Sequence, residues 1–311
     1  MTTKNYCQII LLSVFLTSTS AAEIYTWTDE YGKVHFSDRK NEGLDQTIIE
    51  VKPPKSQWKR FNIVVTDVDN ILTEEEEKLI QNDVNNVYRF FDEKLYFDIH
   101  KTVPINIRLY KDTEDYKNYL TSIRKGVYHN SRGVYFSKEN QIVVRLNTKE
   151  RWRTFWTIKH ETSHAIIDTL LPYAPVWLNE GVAENMEALG RDKQGFFLYP
   201  HTENFKSVQH AHKQNKLAPL GTFLHQGNKQ WRQALRSGKS NYQSHTGELV
   251  RMLLSTNPGR DFLVRTLHLY KQGKRVYSHY IVDEYYIGGS YVLQNDFNRW
   301  IERSQSIRLL F

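Results

Sequence analysis

The chain has 311 residues, 40% hydrophobic and 25% charged, the proportions of a soluble globular protein long enough for one large domain and a small one. It carries a formal charge of +7, but no basic run reaches five residues, which speaks against a nucleic-acid-binding chain; the longest like-charge block is acidic, Glu74 to Glu77. The lone cysteine, Cys7, excludes an intrachain disulfide. Lys4, the short apolar run Ile9 to Leu16 and the small residues Ser20-Ala21-Ala22 read as a secretory signal peptide over residues 1–22, too short to span a bilayer once and cleaved before Glu23. Its removal takes Cys7 with it and leaves 41 basic against 35 acidic groups. The mature chain is then expected to be periplasmic or secreted, without a transmembrane segment or a thiolate metal site. Its partners would not include nucleic acid.

Residues 23–52 read as a small β domain. Ile24 to Thr28 and Lys33 to Ser37 alternate like strands around Asp29-Glu30-Tyr31-Gly32, a turn in which glycine supplies positive φ. The block from Ile24 to Asp38 resembles a small N-terminal domain of unknown function found on many exported proteins of Gram-negative bacteria. That resemblance implies a cell-envelope partner for it. Pro53-Pro54 opens a linker over residues 53–60, and the main domain occupies 61–311.

Within the main domain, Phe61 to Val65 reads as a strand, and Thr73-Glu74-Glu75-Glu76 as a capping box that starts a helix running to about Phe91. Pro104 to Tyr110 reads as a strand and Asp112 to Thr121 as a short helix. Gly133 to Phe136 and Gln141 to Leu146 form a strand pair, and Arg151 to Leu171 one long helix. On that helix Trp152, Phe155, Trp156 and Ile158 are expected to bury the rear face. Beyond Glu184 the chain reads as mostly helical: a short helix near Leu224, Tyr242 to Leu254, Asp261 to Tyr270 after an Asn257-Pro258-Gly259 breaker, and Ser290 to Ile301.

The chemistry concentrates in His160-Glu161-Thr162-Ser163-His164. Two histidines four apart on a helix leave the same face about one turn apart and can clamp one metal ion. Glu161, on a neighbouring part of the cylinder, sits where a carboxylate can take a proton from metal-bound water. Fifteen residues on, Pro175-Val176-Trp177-Leu178-Asn179-Glu180-Gly181-Val182-Ala183-Glu184 places two carboxylates at helical spacing, and Glu180 can supply a third ligand. Trp177 and Leu178 read as core, and Gly181 as a site of close helix approach.

These two blocks resemble the gluzincin zinc metallopeptidases, and especially the bacterial peptidase MA-like group, over roughly residues 60–305. The resemblance implies an α+β fold in which a mixed sheet precedes the H-E-x-x-H helix and a mostly helical C-terminal half, with an edge strand able to pair with extended substrate. It implies one Zn2+ held by His160, His164 and Glu180, with Glu161 as general base. Glu184 would accept from the far ring nitrogen of a ligand histidine, fixing its tautomer. The implied activity is that of an exported metallopeptidase, a hydrolase cleaving peptide or protein substrates by Glu-assisted attack of zinc-bound water. Tyr242, with His245 as the alternative, is the candidate donor to the oxyanion. The competing expectation is a non-catalytic envelope interaction module on a gluzincin scaffold.

Overall fold

The computed structural model describes residues 23–28, 34–37, 40, 42–43, 45–50, 63–99, 105–123, 125–236, 241–303 and 308–311. The segment 1–22 read as a signal peptide, the turn expected at Asp29 to Gly32 and the linker expected over 53–60 lie outside the described residues. The chain divides into two compact units, Met1–Trp58 and Lys59–Phe311.

In the first unit, β1 (Glu23–Thr28) pairs antiparallel with β2 (Val34–Ser37), Trp27 opposite His35. A third strand, β3 (Thr47–Glu50), which the sequence pattern did not reveal, pairs on the other side of β1 in the order β2-β1-β3.

In the second unit, β4 (Ile63–Asp67), β5 (Ile105–Tyr110) and β7 (Gln141–Arg145) are parallel, and β6 (Gly133–Phe136) adds antiparallel to β7 as an edge, order β4-β5-β7-β6. Strand alternation sorts the two faces. Ile105, Ile107, Ile142 and Val144 join the main core with α1 (Glu74–Glu93) and α3 (Arg151–Leu170). Tyr110, Val134, Phe136 and Val143 pack with Tyr116 and Leu120 of α2 (Thr113–Ser122), which Asp112 caps. Thr73 and Glu76 form the expected capping box. Glu76 also grips the first residue of α3: Arg151 donates Nε and Nη2 to its two oxygens at 2.6 and 2.5 Å, and that guanidinium lowers the Glu76 pKa.

After α4 (Val176–Glu187) the chain forms a hairpin absent from the sequence reading, β8 (Leu189–Asp192) and β9 (Gly195–Leu198), with β10 (Leu309–Leu310) beside β9. The rest is helical: α5 (Thr202–Lys213), α6 (Leu220–Leu224), α7 (Asn228–Arg236), α8 (Tyr242–Leu254), α9 (Asn257–Lys271), α10 (Ser278–Tyr285) and α11 (Gly289–Glu302). Two local readings change. Asn257-Pro258-Gly259 is the first turn of α9, capped by the Thr256 hydroxyl, because proline fits the first helical turn, where its missing N–H costs nothing. Trp152 is 43% exposed, lying edge-on to Trp156 under the Arg153 guanidinium, whereas Phe155 and Ile158 are buried as expected. The architecture is mixed α and β, consistent with an α+β class.

Trp177 and Leu178 are core residues; the Trp177 indole donates to Ser278 Oγ at 2.8 Å. Gly181 allows α4 and α8 to touch. A Cβ there would lie 2.6 Å from Val250 Cγ2 and 2.7 Å from the Thr246 carbonyl oxygen. Because backbone cannot yield as a side chain can, Gly181→Ala is expected to cost about 1–3 kcal/mol despite its better helix propensity. A lowered urea midpoint with an unchanged m-value would show this.

Candidate metal centre

Helix α3 carries His160, Glu161 and His164, and α4 packs beside it with Glu180 pointing at the same spot. The two Nε2 atoms stand 3.0 Å apart, and each lies 3.8 Å from Glu180 Oε2. The centre of that triangle is about 2.1 Å from each corner, the length of a zinc–nitrogen or zinc–oxygen bond. Both rings are held from behind. His164 Nδ1 lies 2.8 Å from Asn179 Oδ1, and His160 Nδ1 2.9 Å from Glu187 Oε1. With the His164 Nδ1 proton directed at Asn179 and the His160 Nδ1 proton on the Glu187 side, close to that carboxylate but not aligned in a hydrogen bond, two Nε2 lone pairs face each other at 3.0 Å. That arrangement is repulsive unless a proton or a cation lies between them. Burial would strip a proton from His160, but the Glu187 carboxylate, aided by Glu161 and Glu184, outweighs burial and raises its pKa to about 10. The donor set therefore fits one small divalent cation, with a proton as its competitor.

The sequence reading gave the orienting role to Glu184. The structure places Glu184 3.8 Å from His160 Nδ1, accepting from Asn204 Nδ2 at 2.5 Å, and gives the close contact to Glu187. Glu187 is seven residues after Glu180, two helical turns along one face, so its address was in the sequence. It lies between two imidazoles, with His201 Nε2 3.2 Å from its other oxygen. Burial opposes its ionisation, but the two histidines lower its pKa; burial and the nearby Glu187 charge raise that of Glu184. His160 Nδ1, Glu184 and Glu187 also form a second grouping with metal-ligand spacing, but the Glu187 oxygens are already engaged by the two rings. Asn179, His201, Asn204 and Gln243, whose Nε2 donates to Glu180 Oε2 at 3.3 Å, were also missed. Only Asn179 carried a usable signal, its place immediately before Glu180.

A cavity of about 370 Å³ opens over His160 and Glu161, walled by Glu184, His201, Asn204 and Gln243 on one side and by Arg132 and Gly133 on the other. Glu161 is 7% exposed; burial raises its pKa, partly offset by the two histidines, and it accepts from the Tyr135 backbone N–H. Strand β6 is thus the edge beside the motif helix. Gly133 is required there, since a Cβ would fall 2.6 Å from Thr157 Cγ2 and 3.4 Å from Glu161 Cγ.

Neither oxyanion candidate lines this cavity. The Tyr242 ring packs against Trp231, and its hydroxyl accepts from Gln226 Nε2 at 3.1 Å. His245 is fully buried and stacked on Phe297, and burial lowers its pKa to about 3. Its unfolded pKa is near 6.5, so its contribution to stability is complete above that value and is lost as pH falls towards the folded pKa. Between pH 8 and pH 5 the loss is about 2 kcal/mol from this group. Urea titrations of wild type and His245→Leu should show that acid-side slope reduced in the variant.

Among the described residues, no helix is long and apolar enough to cross a membrane. No curated protein matches the chain. Residues 11–58 match the family described as Domain of unknown function (DUF4124), a domain type common on exported Gram-negative proteins.

Proposed function

We propose that the chain is an exported, zinc-dependent peptidase of gluzincin type acting in the periplasm or outside the cell. The observation that carries this is the triangle of His160 Nε2, His164 Nε2 and Glu180 Oε2 with a buried carboxylate, Glu161, beside it under an edge strand. A bound zinc ion would supply Lewis acidity, polarising a peptide carbonyl and making water a better nucleophile. Asn179, hydrogen-bonded to the His164 ring, and Glu187, 2.9 Å from His160 Nδ1, favour the tautomer that leaves each Nε2 available. Glu161, with its pKa raised by burial, takes a proton from the attacking water and returns it to the leaving amine. Apart from the Tyr135 N–H, which donates to Glu161, the outer rim of β6 offers backbone groups to an extended peptide, which favours substrates by conformation more than by sequence. The N-terminal unit serves a cell-envelope partner.

The deciding experiment combines metal analysis of the mature protein with a broad panel of unstructured peptides. One zinc per chain and hydrolysis abolished by chelation are expected; a zinc-loaded protein that cleaves nothing overturns the reading. A graded effect is expected behind the ligands. Glu187→Gln keeps shape but removes the charge from the His160 Nδ1 contact, and should weaken zinc affinity by about 10–100-fold. Competition with a chromogenic chelator measures it.

A further inference from the structure

A second cavity, of about 260 Å³, lies between the β6–β7 end of the sheet, Thr113 at the start of α2 and the first half of α3. Arg132 and Thr157 line both this cavity and the one over Glu161, so the two adjoin. Four cations reach it: Arg132, Arg145, Lys149 and Arg153. Arg153 is already neutralised, contacting Glu150 at 2.6 Å and Glu203 at 2.9 Å. The other arginines are not. The Arg145 N–H donates to the Arg132 carbonyl at 2.9 Å, one step beyond the Gly133–Val144 pair, so the two side chains stand opposite each other on one face of the sheet. Like charges directly opposite are unfavourable, and among the described residues no carboxylate forms an ion pair with either arginine. Among the described residues, Arg145 has only the Thr113 hydroxyl, at 3.4 Å, and the Arg132 side chain makes no hydrogen bond or ion pair, although its charge reaches Glu203. Isolated surface cations are ordinary. Two arginines from opposed strand positions lining one pocket, of which Arg132 also lines the cavity over Glu161, with their forks largely unsatisfied, match a bidentate carboxylate.

We infer that this pocket is a subsite for a carboxylate of the substrate, either an acidic side chain or the peptide's own C-terminus. The inference rests on the peptidase reading for the identity of the ligand as substrate. Its position follows from β6. Gly133 and Tyr135 flank Glu161, and Arg132 is the next residue outward. A peptide extended along that edge advances about 3.3 Å per residue, so its carboxylate would lie one to three residues from the cleaved bond, on one side only.

The test uses hexapeptides differing only in glutamate against glutamine at each position, and in free acid against amide at the C-terminus. The zinc-loaded mature protein should prefer the carboxylate at one fixed offset by about 10–100-fold in kcat/KM. If the side-chain pair discriminates, the ligand is an acidic residue; if the terminal pair does, it is the C-terminus. In the Arg132→Gln, Arg145→Gln double variant the ratio should fall towards one, and Arg132→Lys should recover only part of it. Fluorescence polarisation of the labelled glutamate and glutamine peptides on Glu161→Gln protein gives a readout independent of turnover. If no peptide is cleaved yet acid-selective binding is lost in the double variant, the subsite stands and the peptidase reading falls. Equal handling of acid and neutral peptides by the wild type overturns the subsite, as does selectivity that survives in the double variant.

Discussion

Replacing Glu161 by glutamine should reduce peptide hydrolysis by about 10²–10⁴-fold while leaving bound zinc at one per chain. The substitution is nearly isosteric, and the glutamine oxygen can still accept the Tyr135 backbone N–H, so the packing of α3 against β6 is kept. What disappears is the capacity to take up and return a proton. Burial already penalises the ionised carboxylate, so the variant should melt no lower than the wild type. Steady-state kinetics, metal analysis and thermal melting on one preparation separate these effects. Zinc lost together with activity would mean that Glu161 holds the metal and not the proton.

Glu180→Ala should have the opposite signature, with zinc lost first and hydrolysis lost as a consequence. Removing one corner of a three-donor triangle leaves two imidazoles 3.0 Å apart, and the affinity should fall by more than the roughly 10–100-fold typical of an outer partner. Glu180 is only part-buried, and its side chain is touched by Gln243 and the two histidines, so the core between α4 and α8 survives its truncation. Equilibrium dialysis against buffered zinc measures the loss; unchanged stoichiometry at low free zinc would remove Glu180 from the ligand set.

The convergence of His160, His164 and Glu180 was legible because helical periodicity is local. Four residues bring His160 over His164, and no distant part of the chain is needed to know it. The bounds of α8 and the capping box at Thr73 were legible for the same reason. What escaped depends on contacts made across elements. His201 reaches Glu187 only because the β8–β9 hairpin folds the chain back, and that hairpin is hidden in four-residue strands punctuated by Gly190 and Gly195. Tyr242 was chosen by its distance in sequence from Glu180, but which way a side chain at a helix start points is decided by its neighbours, here Trp231 and Gln226. Glu187 was the avoidable miss, since it shares the helical face already used to find Glu184.

An exposed sheet edge is also a place where another copy of the chain could attach and polymerise. β6 limits that hazard by being four residues long and by beginning with a glycine, which gives an incoming strand no side chain to pack upon. The arginine immediately before it presents positive charge to an identical approaching edge, so two copies repel at the point where pairing would start. The rim thereby disfavours pairing with its own kind while leaving its backbone uncovered.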